Sequence, residues 1–163
     1  MNAAISDTDI LSAFGKIGRV DLLQRLFNEI YVAPAVYHEL LRVEQLGVSW
    51  LATVIETITP LPLAEGEIKE VEHLVTSYPQ LGSGEIETFV LANVHHLICL
   101  TNDRQAKKVC QLLGLSYLDL EEILRALKIK RITSTEDLAE VIDQIEEKDH
   151  THIKAKKQIL RDY

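Results

Sequence analysis

The sequence alternates between short apolar runs and segments whose apolar residues recur at helical spacing, and this alternation restricts the fold more than any other feature. The apolar runs of strand length are residues 3–6, 30–33, 96–101 and 115–118. Helical segments separate them, and such an order predicts an α/β domain. We expect a largely parallel central sheet of about five strands, flanked by helices in a three-layer α/β/α arrangement.

Proline and glycine mark where several helices begin and end. Pro34 suits the first position of a helix, which should carry Val36, Leu40 and Val43 on one face and end near Gly47. The same reasoning predicts helices between Asp7 and Gly18, over residues 20–27 and 65–76, from the glycine-rich turn 81–85 onward, and between Asp103 and Gly114. The helix that follows residues 81–85 is apolar on most of its surface, so it should be well buried.

The remaining strand is the least distinct. Residues 53–58 alternate weakly between apolar and polar side chains, and Pro60 and Pro62 follow them. Proline donates no hydrogen bond to a neighbouring strand and is tolerated at the edge of a sheet. These residues are therefore predicted to form an edge strand.

Length and composition predict one domain over residues 1–163. The 163 residues are 47% hydrophobic and 26% charged, which are ordinary values for a globular chain with one core. We expect that core over about residues 3–120 and a helical extension over about 121–163. No apolar run reaches the roughly 20 residues of a membrane span, and no secretory leader pattern follows Met1. A cytoplasmic protein whose Cys99 and Cys110 are reduced core thiols is expected.

The helical extension divides into an acidic segment and a basic one. Residues 135–147 are acidic and carry an apolar seam of Leu138, Val141, Ile142 and Ile145. Lys154, Lys156, Lys157 and Arg161 make the last segment basic. Solvated helix faces explain both segments. The functional alternative is a surface for a partner protein, or a basic edge that reaches RNA.

Two aspartates follow predicted strands at the edge of the sheet where ligands bind. Asp7 follows residues 3–6, and Asp103 follows residues 96–101. Ligands of parallel sheets collect at the carboxyl ends of the strands, although both aspartates could simply cap the next helix.

Two glutamates are predicted to join them. Glu39 lies on or beside the apolar stripe of its helix, and Glu85 opens the most apolar helix, where a favourable charge at the helix N-terminus is the other explanation. If these glutamates meet Asp7 and Asp103, a cation must offset their repulsion. Mg²⁺ or Mn²⁺, which prefer oxygen ligands, fit such a cluster. The formal net charge of −8 is unusual for a protein that binds nucleic acid, and a bound metal ion would supply the local positive charge that such binding needs.

These motifs together resemble those of the PIN-domain nucleases. Residues 5–11, Ile-Ser-Asp-Thr-Asp-Ile-Leu, are similar to the opening motif of that family, and residues 100–103, Leu-Thr-Asn-Asp, to its last. Residues 35–40 resemble its second acidic segment, which is entered through a proline. Glu85 precedes Asp103 by 18 positions, as in the VapC-like toxin branch, and residues 81–85 resemble a subgroup with Glu in place of Asp. The resemblance covers roughly residues 5–118.

The resemblance implies a metal-dependent ribonuclease. Asp7, Glu39, Glu85 and Asp103 would hold one or two Mg²⁺ or Mn²⁺ ions that activate water and polarise an RNA phosphate. Five further residues are auxiliary candidates. Thr8 or Thr101 would orient the water, and Glu87 is the alternative to Glu85 as the third acidic residue. Asp9 and Asn102 stand at positions where other residues are commoner in the family. Arg104, Lys107 and Lys108 are candidate phosphate contacts, with a solvated helix face as the alternative. The branch also implies an antitoxin partner and a homodimer.

Two other functions compete with a nuclease. One is a haloacid dehalogenase-type phosphatase, because Asp7-Thr8-Asp9 also resembles its nucleophile and acid, although Glu39 and Glu85 would then have no role. The other is a PIN module without activity that acts through a protein partner. Two neighbouring features are expected to be structural: the His95-His96 pair as a helix end, and Trp50 packed on the core.

Overall fold

Five parallel strands form the centre of the molecule. The computed structural model describes residues 2–161, and its strands are β1 (Ala4–Ser6), β2 (Ile30–Val32), β3 (Thr59–Pro60), β4 (Ile98–Leu100) and β5 (Tyr117–Leu118). They lie in the order β3-β2-β1-β4-β5. In register, Ala4 of β1 is paired with Ile30 on one side and Ile98 on the other. The predicted α/β fold with a five-stranded parallel sheet is confirmed.

Helices connect the strands and flank the sheet. They are α1 (Thr8–Lys16), α2 (Val20–Leu26), α3 (Pro34–Glu44), α4 (Leu51–Thr57), α5 (Glu65–Ser77), α6 (Ser83–His95), α7 (Arg104–Leu113), α8 (Leu120–Ile129), α9 (Thr135–Lys148) and α10 (Lys156–Arg161). Pro34 opens α3, and Gly114 ends α7 at a φ of +68°, a conformation that glycine adopts without strain. As expected, α6 is well buried.

The prediction of a strand over residues 53–58 was wrong. These residues lie mostly in α4, and the edge strand is instead β3, which starts at Thr59. Leu51 and Val54 are both buried, so the helical spacing of these two side chains outweighs the weak alternation that follows them. Pro60 lies inside the edge strand, and the next residue, Leu61, donates its N–H to the carbonyl of Val32 at 2.9 Å.

The C-terminal helices belong to the same hydrophobic core as the sheet. The four seam residues of α9 are all at most 1% exposed, so this seam faces the core and does not offer a free apolar surface. Lys128 of α8 is buried, and its ammonium donates to the carbonyls of Ile159 and Leu160 at 3.0 and 2.6 Å. A cation that meets the last carbonyls of a helix is stabilising, and this contact holds α10 on α8.

The two cysteines, Trp50 and the His95-His96 pair have the structural roles predicted from the sequence. Cys99 and Cys110 are free and buried, as predicted. The ring of Trp50 packs on α1, where a Cβ atom at Gly15 would lie 2.5 Å from its Cε3 atom. His95 ends α6 and His96 takes a left-handed φ of 54° before β4, so the pair forms a helix end. Within residues 2–161, no helix has the length and apolar character needed to cross a membrane.

Candidate active site

The two aspartates lie side by side at the carboxyl edge of the sheet. β1 and β4 are neighbours, and the N–H of Asp7 donates to the carbonyl of Leu100 at 3.0 Å. Both side chains cap the helix that follows: Asp7 accepts from the N–H of Ile10 at 3.1 Å, and Asp103 from that of Ala106 at 2.8 Å. Each cap uses one carboxylate oxygen, so the capping and functional interpretations are compatible.

The two glutamates reach the same place from α3 and α6. Thr8 donates its hydroxyl hydrogen to Glu39 Oε2 at 3.2 Å, which ties α3 to the start of α1. Glu85 Oε2 accepts from the N–H of Gly82 at 2.9 Å, a bond that closes the first turn of α6. Glu39 was expected on the protected side of its helix, but it is exposed. Val36 and Leu40 take the buried positions of α3, and Glu39 lies at the border of that face, where the helix meets the cavity.

One cavity joins all four carboxylates. Its volume is about 270 Å³, and it is lined by Asp7, Thr8, Asp9, Val36, Glu39, Gly82, Gly84, Glu85 and Asp103. Gly84 permits the close approach of α6 to α3, since a Cβ atom there would lie 3.1 Å from Val36 Cγ2. The sequence motifs are separated by up to 96 positions, and the fold brings them to a single concave surface.

Burial and mutual repulsion hold several of these carboxyls closer to neutrality than usual. Burial raises the pKa of Asp7 to about 7, although Thr101 and the N–H of Ile10 oppose this shift by hydrogen bonding to the carboxylate. Burial also raises the pKa of Asp9, and the charges of Asp149 and Asp103 add to the rise. The pKa of Glu85 is raised by its partial burial and by the charge of Asp103, despite the bond from Gly82.

The donor set suits a hard divalent cation. Carboxylate oxygens are the ligands that Mg²⁺ and Mn²⁺ prefer, and a bound cation would stabilise the charged carboxylates that burial and mutual repulsion disfavour. As the side chains stand in residues 2–161, no three acidic, histidine or cysteine groups are arranged to hold one ion. Glu39 and Glu85 are each held by a single hydrogen bond and have several rotatable bonds, so side-chain rotation alone could bring their oxygens toward Asp7 and Asp103.

Comparison with protein families assigns the fold. The family model DUF3368, described as a PIN domain, matches residues 3–161. The chain belongs to the PIN-domain family. PIN domains are in general metal-dependent nucleases, which agrees with a cavity lined by carboxylates. Membership also favours a nuclease over the phosphatase that the first motif resembles. No curated protein matches the chain.

A solved structure supports the same fold. The crystal structure of PAE2754 from Pyrobaculum aerophilum superposes with a TM-score of 0.57 over 78% of this chain and 99% of that chain, at 18% sequence identity. At this identity the likeness concerns the fold and not the activity.

Thr101 has a different place in this PIN domain from the one expected. Its buried hydroxyl hydrogen bonds to the Asp7 carboxylate and accepts from the N–H of Asp103 at 3.3 Å. Thr101 therefore contacts the carboxylate of Asp7 and the backbone of Asp103, at the ends of two neighbouring strands. Thr8 and Asp9 do line the cavity, as predicted auxiliary residues should.

Glu87 and Asn102 lie outside the cavity. Glu87 Oε2 accepts from the N–H of Ala35 at 2.7 Å, so it fixes the start of α3 against α6. Asn102 Oδ1 accepts from the N–H of Leu120 at 3.4 Å, which links the end of β4 to α8. Both side chains have structural partners that explain their presence.

The three basic candidates on α7 differ in how available their charges are. Lys107 donates to Asp119 Oδ2 at 3.0 Å, and this ion pair offsets much of its charge. Arg104 and Lys108 are exposed. Neither of these two has an ion pair within the described residues, so their charges remain available to a phosphate.

Lys16 and Asp149 belong to the surroundings of the site and were not predicted. Lys16 Nζ lies 2.7 Å from Asp149 Oδ1, and the two side chains line a second cavity beside Asp9. The sequence could have predicted Lys16, because Asp9, Ala13 and Lys16 recur at helical spacing on one face of α1. No sequence pattern predicts Asp149 at this site, since its position depends on how the C-terminal helices pack.

Proposed function

We propose that this PIN domain is a Mg²⁺- or Mn²⁺-dependent endoribonuclease and the toxin of a toxin–antitoxin pair, related to the VapC-like branch. The observation that carries the proposal is the single cavity that joins Asp7, Glu39, Glu85 and Asp103 at the carboxyl edge of the sheet. The raised pKa values of Asp7 and Glu85 indicate that the cluster is electrostatically incomplete without a cation.

The four carboxylates would hold one or two divalent ions. When bound, such ions polarise the scissile phosphate, lower the pKa of the attacking water and stabilise the leaving oxygen. Asp7 must be deprotonated to serve as a ligand, so occupancy should increase as the pH rises through about 7.

The surrounding residues keep the carboxylates in place. Thr101 holds Asp7 and Asp103 at the ends of neighbouring strands, and Thr8 holds Glu39. Asp9 adds negative charge at the border of the cavity, which strengthens the attraction for cations. Arg104 and Lys108, on the helix that follows Asp103, would contact the phosphates that flank the cut.

The resemblance of the motifs to VapC-like toxins supports the toxin role. It also implies that the protein binds an antitoxin and forms a homodimer. Exposed apolar side chains on α5 and α6, namely Ile68, Val75 and Val94, are 45%, 47% and 49% exposed and are candidates for those contacts.

The decisive experiment is cleavage of a labelled RNA by the purified protein with Mg²⁺ or Mn²⁺, against EDTA. Asp7→Asn and Asp103→Asn should abolish cleavage while they keep the helix caps, since asparagine caps as well as aspartate. Glu70→Gln, which removes one exposed carboxylate from α5, is the matched control and should cleave normally.

Two results would contradict the proposal. One is cleavage that persists in EDTA or in both aspartate variants. The other is the absence of cleavage together with the absence of metal binding by calorimetry, which would favour an inactive PIN module that acts through a partner. The toxin role has its own test: induction of the wild-type protein should arrest cell growth, and induction of Asp7→Asn should not.

A further inference from the structure

A groove leads away from the carboxylate cavity toward the C-terminal segment. The cavity of about 270 Å³ shares Asp9 with a second cavity of about 320 Å³. The second shares Asn102, Leu120 and Thr151 with a third of about 250 Å³, which Arg104 and Lys154 also line. Because each pair of neighbouring cavities has common lining residues, the three lie next to one another in a row.

We propose that residues 149–154 form the outer wall of a groove for single-stranded RNA, with Lys154 contacting a phosphate on one side and Arg104 on the other. The proposal rests on the proposed nuclease function and adds the path of the strand beside the scissile phosphate. It assigns to the segment between α9 and α10 a role in binding substrate.

This wall is held in place by bonds to three other elements. Lys16 of α1 is paired with Asp149 at 2.7 Å. The N–H of Ile153 donates to Glu146 at 3.0 Å, and the side chain of Ile153 is only 2% exposed. The N–H of Ala155 donates to Glu121 of α8 at 3.0 Å. A segment fixed in this way presents its outward side chains without a large ordering cost on binding.

The charges at the far end of the groove favour an anion. Its acidic residues are already engaged: Asp119 is paired with Lys107 and caps α8, and Glu121 accepts from Ala155. By contrast, Arg104 and Lys154 are exposed and form no ion pair in residues 2–161. The lining of this end has three basic residues (Arg104, Lys107 and Lys154) and two acidic ones (Asp119 and Glu121), so its formal charge is +1, which suits a phosphate backbone.

Continuity with the carboxylates favours RNA over a protein segment as the occupant. A strand whose scissile phosphate lies at the carboxylate cavity extends beyond it on both sides, and the row of cavities that begins at Asp9 gives it a path on one side. The walls are mainly polar, as expected for contacts with a backbone and not for an apolar peptide anchor.

The test is binding of a fluorescent oligoribonucleotide to the Asp7→Asn protein, which should not cut it. Adding Lys154→Ala should reduce affinity about three- to tenfold and lower the slope of log affinity against log salt by about 0.7, the value for one phosphate contact on a single strand. Lys154→Arg, which keeps the positive charge, should leave the affinity and the salt slope as they are in the Asp7→Asn protein. Lys157→Ala removes an exposed lysine of α10 that lies outside the groove, and it should change neither.

A kinetic readout separates binding from chemistry. In the otherwise unchanged protein, Lys154→Ala should raise KM and leave kcat within about twofold, because the contact is made before and during the reaction alike. Unfolding midpoints of all variants should match, since the side chains at 154 and 157 are exposed.

The outcomes distinguish this inference from the proposed function. Metal-dependent cleavage with unchanged RNA affinity and salt slope in Lys154→Ala would overturn the groove and leave the nuclease intact. If RNA affinity is unchanged but the Lys154→Ala protein binds a co-purifying protein more weakly than the wild type does, the wall would be assigned to a protein partner and not to RNA. Loss of RNA binding and cleavage in every form would overturn both proposals.

Discussion

The two edges of the same sheet each carry a cavity, and they differ in chemistry more than in size. The amino-terminal edge has the larger one, about 360 Å³, lined by Asn2, His96, Tyr117 and their neighbours. Of the described residues that line it, none is acidic. The cavity at the carboxyl edge is smaller, about 270 Å³, and it is lined by five carboxylates.

Volume therefore does not mark the functional edge of this fold. The direction of the strands does, because every strand of a parallel sheet delivers its following residue to the same edge. The fold places Asp7 and Asp103 at that edge, and the helices α3 and α6 add Glu39 and Glu85. At the opposite edge the chain enters the strands through residues such as His96 and Ser116, without charged groups that repel one another.

The largest expected effect is the loss of activity at the acidic edge alone. If the proposed function is correct, Glu39→Gln and Glu85→Gln should each reduce kcat about 100-fold, because each removes a negative charge and a proposed metal ligand from the cavity. Asn93→Ala, at the larger cavity, should cleave RNA at the wild-type rate. Steady-state cleavage assays with equal metal concentrations measure all three. A comparable loss in Asn93→Ala would show that the amino-terminal edge also contributes to cleavage.

The next effect is on stability, and it depends on pH. The pKa of Asp7 is raised from 3.8 to about 7, so between these values the folded protein keeps a proton that the unfolded chain releases. The free energy of unfolding should then fall as pH rises through this window. Asp7→Asn removes this penalty and, without metal, should be more stable than wild type by about 1–3 kcal/mol above pH 7.

Urea denaturation in EDTA at pH 4 and pH 8 measures this difference, which should be close to zero at the lower pH. Added Mn²⁺ should raise the unfolding midpoint of the wild type at pH 8 and leave Asp7→Asn unchanged. Equal stability of the two proteins at pH 8 would show that Asp7 ionises without cost.

A third effect separates packing from chemistry on one helix. α1 has Asp9 in its first turn, at the carboxyl edge of the sheet, while its Gly15 lies against Trp50 and Val54. Gly15→Ala places a methyl group 2.5 Å from Trp50 Cε3, and it should lower the free energy of unfolding by about 1–3 kcal/mol. Metal affinity, measured by calorimetry on the folded protein, should not change.

Gly66→Ala is the matched control, since a Cβ atom in α5 meets nothing within 4 Å. Because alanine favours helices, this variant should be as stable as the wild type or up to about 1 kcal/mol more stable. If Gly15→Ala proved equally harmless, the contact between α1 and Trp50 would be looser than the structure shows.

The smallest effect concerns the first turn of α9. The guanidinium of Arg19 donates to both oxygens of Asp137 at 3.0 and 3.2 Å, and this contact holds the pKa of that carboxyl below its usual range. Its stabilisation is present at neutral pH and disappears as the pH falls through the lowered pKa. Because both side chains are partly exposed, Asp137→Asn should cost about 0.2–1 kcal/mol. A double-mutant cycle with Arg19→Ala measures the pair, and a coupling above this range would mean that it is screened less than its exposure suggests.

Periodicity and strand direction were sufficient to predict most of the fold and the position of Asp7 and Asp103 at one edge of the sheet. Alternating strands and helices imply a parallel sheet, and residues that follow its strands must share an edge, so Asp7 and Asp103 could be paired without coordinates. The helix stripe of residues 106–113 and its glycine stop matched α7 closely.

Other features depend on contacts that no local pattern records. The helix over Leu51–Thr57 is short, and its two buried positions are too few to distinguish it from a strand. The two hydrogen bonds of Thr101, to the carboxylate of Asp7 and from the N–H of Asp103, depend on the register of β1 against β4. The position of Asp149 beside Lys16 requires α9 to be packed on the core before the two side chains meet.

The pairing of β1 with β4 has a consequence for a chain during synthesis. Ala4 pairs with Ile98, and Asp7 precedes Asp103 by 96 positions, so the ribosome makes the first member of the acidic cluster long before the last. Until Asp103 and the helix behind it have emerged, the central strand lacks one neighbour and the cluster lacks one of its carboxylates. A nascent chain should therefore have no complete carboxylate cluster until residues past position 103 have left the ribosome.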